Sequence, residues 1–129
     1  MNQIPELFLL DEKKESVKNI LKNPPQFKKD AHQKDFCDCA GFIDNVYRNV
    51  YGDNFTVSEE EFNKQIFQGF KEVSSPNFFD IIYVKTKDFF HLGVIINDYN
   101  VMHMTDKGVK VEPISIFLNK ECKFLRFVK

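Results

Sequence analysis

The hydrophobic pattern of this 129-residue chain changes character near its middle. In the first half, apolar residues recur at helical spacing, most clearly from Cys39 through Phe42 to Val46. In the second half, short apolar runs such as residues 81–84 alternate with turn residues, which is typical of strands. This order predicts an α+β domain, with N-terminal helices packed on one face of an antiparallel meander sheet.

The local patterns predict where the elements lie. Helices are expected at residues 11–22, 39–51 and 59–72, and strands at 81–84, 89–96, 101–104, 109–111 and 123–128. A polar loop is expected at 23–37, and a short turn or helix at 113–118. The length suits one domain, residues 1–129, in which residues 1–23 form an N-terminal helical extension.

Bulk composition narrows the class of protein. A net charge of −1 argues against a general nucleic-acid binder. No apolar stretch is long enough to span a membrane. The first ten residues lack a secretory signal, so we expect synthesis in the cytoplasm without an export signal in this sequence. Three cysteines do not indicate a disulfide framework.

Cys39 is the candidate nucleophile. Asp38 is a plausible N-cap, which places Cys39 in the first turn of a helix. The helix dipole there favours a thiolate, so we expect a lowered pKa and faster alkylation of Cys39 than of Cys122. Cys122 is expected to be a buried core residue, and Cys37 a half-buried structural cysteine, with a resolving thiol as its alternative.

Two histidines are candidate partners for that thiol. His91 and His103 lie on neighbouring predicted strands, and they share a face only if the loop between the strands has an odd number of residues. Residues 97–100 hold no glycine, which disfavours a two-residue turn and favours a loop of three or five. We predict that this face meets the N-terminus of the Cys39 helix. His32, in the polar loop, is expected to be exposed to solvent.

Residues 38–42, Asp-Cys-Ala-Gly-Phe, resemble the nucleophile motif Asp-Cys-Ser-Gly-Phe of the NlpC-type cell-wall peptidases, a papain-like family. His91-Leu92-Gly93-Val94 resembles the motif that carries the family's catalytic histidine. The stretches at 80–82, 101–103 and 108–111 resemble the neighbouring strands, in the family's order. The resemblance covers roughly residues 24–128.

This resemblance implies a cysteine endopeptidase or amidase that hydrolyses peptidoglycan stem peptides, usually between D-glutamate and the diamino acid. Cys39 would be the nucleophile, His91 the base, and His103 the residue that orients His91. Asp38, Ala40 and Phe27 would serve substrate or oxyanion binding. Ala40 replaces the family's serine, which places the usual preference for a free amino terminus in question. The resemblance implies no cofactor and no metal, and a monomer.

Residues 37–39 and 46–48 resemble most the peptidases encoded with phage tails and gene-transfer agents. This implies tail proteins as partners, and an enzyme that is virion-associated or delivered to the periplasm or cell wall. Two alternatives stay open: a non-catalytic tail assembly module, and a secreted antibacterial amidase effector. A third is a zinc site built from two cysteines and two histidines, Cys37, Cys39, His91 and His103.

Overall fold

The computed structural model describes residues 6–128. Its helices are α1 (Glu6–Lys22), α2 (Cys39–Tyr51) and α3 (Glu59–Asn63). Its strands are β1 (Gln26–Phe27), β2 (Phe36–Cys37), β3 (Phe70–Val73), β4 (Ile81–Lys85), β5 (Phe90–Ile95), β6 (Asn100–Thr105), β7 (Gly108–Pro113) and β8 (Cys122–Phe127). A short 3-10 helix (Ile114–Ile116) follows β7. Residues 1–5 of the predicted N-terminal extension lie outside the described residues.

The main sheet has six strands in the order β3-β8-β4-β5-β6-β7, and every neighbouring pair is antiparallel. The run from β4 to β7 is the predicted meander. The last strand, β8, returns to lie between β3 and β4. The α+β class and the antiparallel sheet are therefore confirmed. No helix within residues 6–128 has the length and apolar composition that a bilayer crossing requires.

Each face of the sheet carries its own apolar cluster, because side chains alternate along a strand. The helix α2 packs on the face that carries Leu92, Val94 and Met102. The opposite face carries a smaller cluster that includes Ile95 and Phe117. The helices thus cover one face, as predicted, while the 3-10 segment covers part of the other.

The β5–β6 hairpin has the predicted odd loop. Ile96 donates its backbone N–H to the carbonyl of Asn100, which leaves three residues between them. In this register Gly93 lies opposite His103. Since His91 is two residues from Gly93, both histidines lie on the same face of the sheet.

The prediction of a helix at 59–72 was wrong beyond its first turns. Ser58 does cap α3 by accepting the N–H of Glu61, but the helix ends at Asn63. Gln65 has a positive φ of 58°, which a right-handed helix does not allow. Residues 70–73 then pair with β8, and these tertiary hydrogen bonds override the local helical pattern.

The region predicted as a polar loop, residues 23–37, holds two short strands. β1 pairs in parallel with β2, with Phe27 opposite Cys37. Within the described residues the first helix begins at Glu6, earlier than the predicted residue 11. Cys122 was expected in the core but is only partly buried, at the margin of the smaller cluster.

Candidate active site

Cys39 is the first residue of α2, and Asp38 caps this helix as predicted. Asp38 is extended, with φ −91° and ψ −166°, and its Oδ1 accepts the backbone N–H of Gly41 at 2.8 Å. This bond satisfies an N–H group that the helix itself leaves free. The cap therefore determines where α2 starts and where Cys39 lies.

Gly41 lets the preceding loop pack against the first turn of α2. A Cβ at this position would lie 2.3 Å from the carbonyl oxygen of Ala31 and 2.8 Å from the Cα of His32. The same Ala31 oxygen accepts the N–H of Asp38 at 2.9 Å. The contact between loop and helix therefore requires a residue without a side chain.

The two predicted histidines contact each other directly. The distance from Nε2 of His91 to Nδ1 of His103 is 2.8 Å, and the two rings are nearly perpendicular, at 84°. The other ring nitrogen of His103, Nε2, lies 2.7 Å from Oε1 of Glu112 on β7. His91, His103 and Glu112 thus form a continuous chain of hydrogen bonds.

We predicted that the sheet face carrying His91 and His103 would pack against α2, but α2 packs on the opposite face. The core side of α2 packs on Leu92 and Val94, whereas His91 and His103 point to the opposite side. The pairing of β5 with β6 begins only at Gly93, so residues 90–92 have an unpaired edge. Cys39 lies at this edge, with its Sγ 4.0 Å from the carbonyl oxygen of Phe90.

Cys39 and His91 line one cleft of about 610 Å³. Other residues that line it include Phe27, Asp38, Glu59, Phe89 and Phe90. Two predicted site residues lie behind the cleft instead. Ala40 is buried in the core, and His103 is reached through His91.

Burial sets the resting protonation of the Cys39–His91 pair. Burial, followed by the charge of Asp38, raises the pKa of the Cys39 thiol to about 12. Burial, followed by the charge of His103, lowers the pKa of His91 to about 4. The expectation of a lowered thiol pKa was therefore wrong, because burial and the charge of Asp38 raise the pKa by more than the backbone hydrogen bonds of Leu92 and Ala40 lower it. The resting pair is a neutral thiol and a neutral imidazole.

His32 is not free in solvent, contrary to the prediction. Its Nδ1 lies 2.5 Å from Oδ2 of Asp44, and its Nε2 lies 2.9 Å from Oε1 of Glu59. Asp44 is fully buried and also accepts the N–H of Val57. His32 therefore connects its own loop to α2 and to the start of α3, next to the cleft.

The four side chains of the zinc alternative do not converge. Within residues 6–128, the group of three or more His, Cys, Asp or Glu side chains whose ligand atoms all lie within 4.8 Å of one another is His32, Asp38 and Glu59. Cys37 is fully buried, and burial raises the pKa of its thiol to about 11. Such a thiol matches the structural role predicted for Cys37 and is more buried than expected.

Sequence reasoning missed two carboxylates beside the histidines and the nucleophile. Glu59 was read only as the start of a helix, but it lines the cleft. The position of Glu112 could have been predicted from the hairpin register. The β6–β7 hairpin has a two-residue turn, which places Lys110 opposite His103. Glu112, two residues further, must then lie on the same face as His103.

The layered α+β architecture, with a cysteine opening a helix beside a histidine pair on the sheet, is that of a papain-like protein. The chain belongs to the NlpC/P60 family, whose family model matches residues 26–124. Members of this family are in general cysteine peptidases that act on peptidoglycan. No curated protein sequence matches the chain significantly.

Solved structures share the fold at low sequence identity. NlpC2 from Trichomonas vaginalis is 13% identical with a TM-score of 0.68, over 90% of this chain and 46% of that one. The NlpC/p60 domain of the peptidoglycan hydrolase SagA is 15% identical with a TM-score of 0.61, over 94% and 98% of the two chains. A hypothetical invasion protein of Mycobacterium tuberculosis is 11% identical with a TM-score of 0.69, over 100% and 68%. The chain spans less than half the length of the matched NlpC1 and NlpC2 chains of T. vaginalis.

Proposed function

We propose that this protein is a cysteine endopeptidase or amidase that hydrolyses amide bonds in the stem peptides of peptidoglycan. One observation carries the proposal: Cys39 and His91 line the same cleft, while Nε2 of His91 is held by His103. Membership of the NlpC/P60 family supports the class of substrate.

The geometry supports different roles for the two ring nitrogens of His91, one toward His103 and one toward the thiol. Because Nε2 is engaged by His103, Nδ1 is the nitrogen that remains to take a proton from the thiol. The thiol is neutral at rest, so its proton moves to His91 as Sγ attacks the amide carbonyl. The imidazolium then protonates the leaving amine, and water hydrolyses the thioester that is left on Cys39.

The oxyanion that forms during attack would be stabilised by backbone N–H groups at the start of α2, including that of Cys39. Ala40 would contribute through its backbone, since its side chain is buried. Phe27 would offer its ring to the substrate, because its side chain is partly exposed and lines the cleft.

The charge of the cleft favours a substrate that carries an amino group. Asp38 and Glu59 both line it, and burial followed by interaction with Glu59 raises the pKa of Asp38. Nε2 of His32 lies 3.6 Å from Oδ1 of Asp38 and 2.9 Å from Oε1 of Glu59, and an ammonium group in the cleft would be a second positive partner for the two carboxylates. We therefore propose that a free amino terminus is recognised even though Ala40 replaces the usual serine.

Digestion of purified muropeptides, followed by mass spectrometry, tests the activity. Wild-type protein under reducing conditions is expected to release stem-peptide fragments, and Cys39→Ala to release none. Muropeptides with an acetylated amino terminus are expected to be cleaved more slowly. Absence of any cleavage by the wild type, or equal cleavage by Cys39→Ala, would overturn the proposal and favour a non-catalytic module.

For the biological setting we propose a phage tail or gene-transfer agent, with the enzyme carried by the particle to the cell wall and acting as a monomer. The support is the resemblance of residues 37–39 and 46–48 to that branch. An antibacterial effector predicts a neighbouring immunity gene instead of tail genes, so gene order distinguishes the two settings.

A further inference from the structure

Glu112 lies next to the histidine pair but belongs to none of the motifs that the family resemblance uses. It is on β7, where Val101 of β6 is its partner, so its side chain lies diagonally across from His103. The distance from Oε1 of Glu112 to Nε2 of His103 is 2.7 Å, at the short end of the range for a hydrogen bond between a ring N–H and a carboxylate.

The two contacts of His103 restrict which nitrogens carry protons. A carboxylate only accepts hydrogen bonds, so Nε2 of His103 must donate to Glu112. In a neutral ring, Nδ1 of His103 then has a lone pair and accepts the N–H at Nε2 of His91. The same logic leaves Nδ1 of His91 without a proton, which is the state that a base toward Cys39 needs.

The opposite tautomer of His103 would reverse this chain. With its proton on Nδ1, His103 would present a lone pair to the Glu112 carboxylate and force His91 to carry its proton on Nδ1. His91 could then not accept the thiol proton. Without the Glu112 carboxylate, the lone pair on Nε2 of His103 would no longer face a negative charge. The unproductive tautomer would then become accessible.

The surroundings of the pair limit competition from water. His103 is 5% exposed. The ring of Phe117 lies 6.2 Å from that of His91 in a stacked arrangement, and 5.3 Å from that of His103 edge to face. Phe117 is itself buried. The Glu112 side chain is 35% exposed, but the His103 ring is shielded from water, so the Glu112 carboxylate is the group that selects its tautomer.

We infer that Glu112 is a positioning residue that, through His103, holds both histidines in the tautomer with the proton on Nε2. The inference rests on the proposed function for its catalytic consequence, but the tautomers themselves can be observed without any substrate.

Long-range ¹H–¹⁵N NMR spectra of histidine-labelled protein near neutral pH report which ring nitrogen is protonated. In the wild type, both His91 and His103 are expected to have the proton on Nε2 and a lone pair on Nδ1. In Glu112→Leu, His103 is expected to populate both tautomers. A wild-type His103 that is an imidazolium or carries its proton on Nδ1, or unchanged tautomers in Glu112→Leu, would overturn the inference.

Kinetics on a soluble muropeptide supply the second measurement. Glu112→Leu is expected to lower kcat about 10- to 100-fold, the usual effect of losing an outer hydrogen-bond partner, with KM nearly unchanged. Glu112→Gln retains an acceptor oxygen and is expected to lose less. A kcat unchanged in Glu112→Leu would contradict the inference.

Glu72→Leu is the matched control. Glu72 is also on a strand, and its carboxylate lies 3.7 Å from Nζ of Lys123, away from the cleft. The Glu72→Leu variant is expected to have the kcat of the wild type and the same tautomers of His91 and His103. If the wild type hydrolyses nothing, the proposed function fails while the NMR spectra still decide the role of Glu112.

Discussion

The imidazole of His32 binds the buried carboxylate of Asp44 at 2.5 Å, and this pair holds the loop before the nucleophile against α2. Asp44 also accepts the backbone N–H of Val57 and the hydroxyl of Thr56. One buried carboxylate therefore connects three segments around the cleft. The positions of Phe27 and Asp38 relative to Cys39 depend on these connections.

Replacement of His32 by Ala is expected to destabilise the protein by about 2 kcal/mol, because the buried Asp44 loses a charged hydrogen-bond partner. Burial lowers the pKa of His32, but the hydrogen bonds to Asp44 and Glu59 raise it by a larger amount. The net shift is therefore upward from 6.5. The stabilisation is therefore complete below 6.5 and declines as the pH rises through the folded-state pKa.

Urea unfolding at several pH values checks this expectation. The difference between wild type and His32→Ala should shrink toward alkaline pH, and a constant difference would contradict it. Glu59→Gln is the control, since Glu59 is 43% exposed and its ion pair with His32 is expected to contribute well under 1 kcal/mol.

The resting thiol of Cys39 is expected to be protonated near neutral pH, because its pKa is raised to about 12 by burial and then by Asp38. Alkylation of Cys39 by iodoacetamide should therefore rise steadily with pH through the alkaline range. It should also be slower than expected for a thiol activated by a helix N-terminus.

Peptide mass spectrometry of the Cys122→Ser variant, alkylated across a pH series, measures this reaction at Cys39. A rate that is already constant from acid to neutral pH would indicate a thiolate–imidazolium pair. That outcome would contradict the neutral resting state.

Asp38 is expected to have two separable effects, one on the helix and one on the thiol. Asp38→Ala should cost about 1 kcal/mol through loss of the cap on Gly41. Asp38→Asn keeps an acceptor oxygen and should cost less. Both variants remove a charge that raises the pKa of Cys39, so both should be alkylated faster than the wild type.

Chemical denaturation and alkylation of the two Asp38 variants give the comparison. Equal destabilisation by Asn and Ala would exclude the capping explanation. Alkylation rates equal to that of the wild type would show that the Asp38 charge does not act on the thiol.

Gly93 is expected to be intolerant of a methyl group, although it lies in a regular strand. A Cβ there would lie 2.6 Å from Cγ1 of Val101 and 3.2 Å from Cβ of His103. Gly93→Ala should destabilise the protein by about 1–3 kcal/mol and displace His103.

A double-mutant cycle with Val101→Ala tests the proposed clash. Because the second substitution removes Cγ1, the double variant should be less unstable than the sum of the two single variants. Strict additivity would mean that Val101 is not the obstacle to a side chain at position 93.

Several features followed from local sequence. The Asp38 cap, the helix from Cys39 to Tyr51 and the meander from β4 to β7 were all predicted, because each depends on neighbours in the chain. The shared face of His91 and His103 also followed, since parity along a hairpin depends only on the length of its loop.

Other features arise between segments that are distant in the sequence. Residues 70–73 form a strand because they pair with β8 through backbone hydrogen bonds. The sequence near residue 70 gives no indication of this pairing, since β8 lies about 50 residues further along the chain. His32 became the partly buried partner of a buried carboxylate because α2 brings Asp44 to it. The raised pKa of Cys39 likewise depends on burial, which helix-terminus arguments do not include.

The sequence by itself determined which residues are the catalytic candidates: a cysteine at the start of a helix, and two histidines on neighbouring strands that share one face of the sheet. Only the tertiary structure decided how they meet. The pairing of β5 with β6 stops at Gly93, which leaves an edge beside the start of α2, and there Cys39 and His91 line one cleft. Strand parity is a local property, whereas the opening of that edge and the desolvation of the thiol depend on how α2 packs against the sheet.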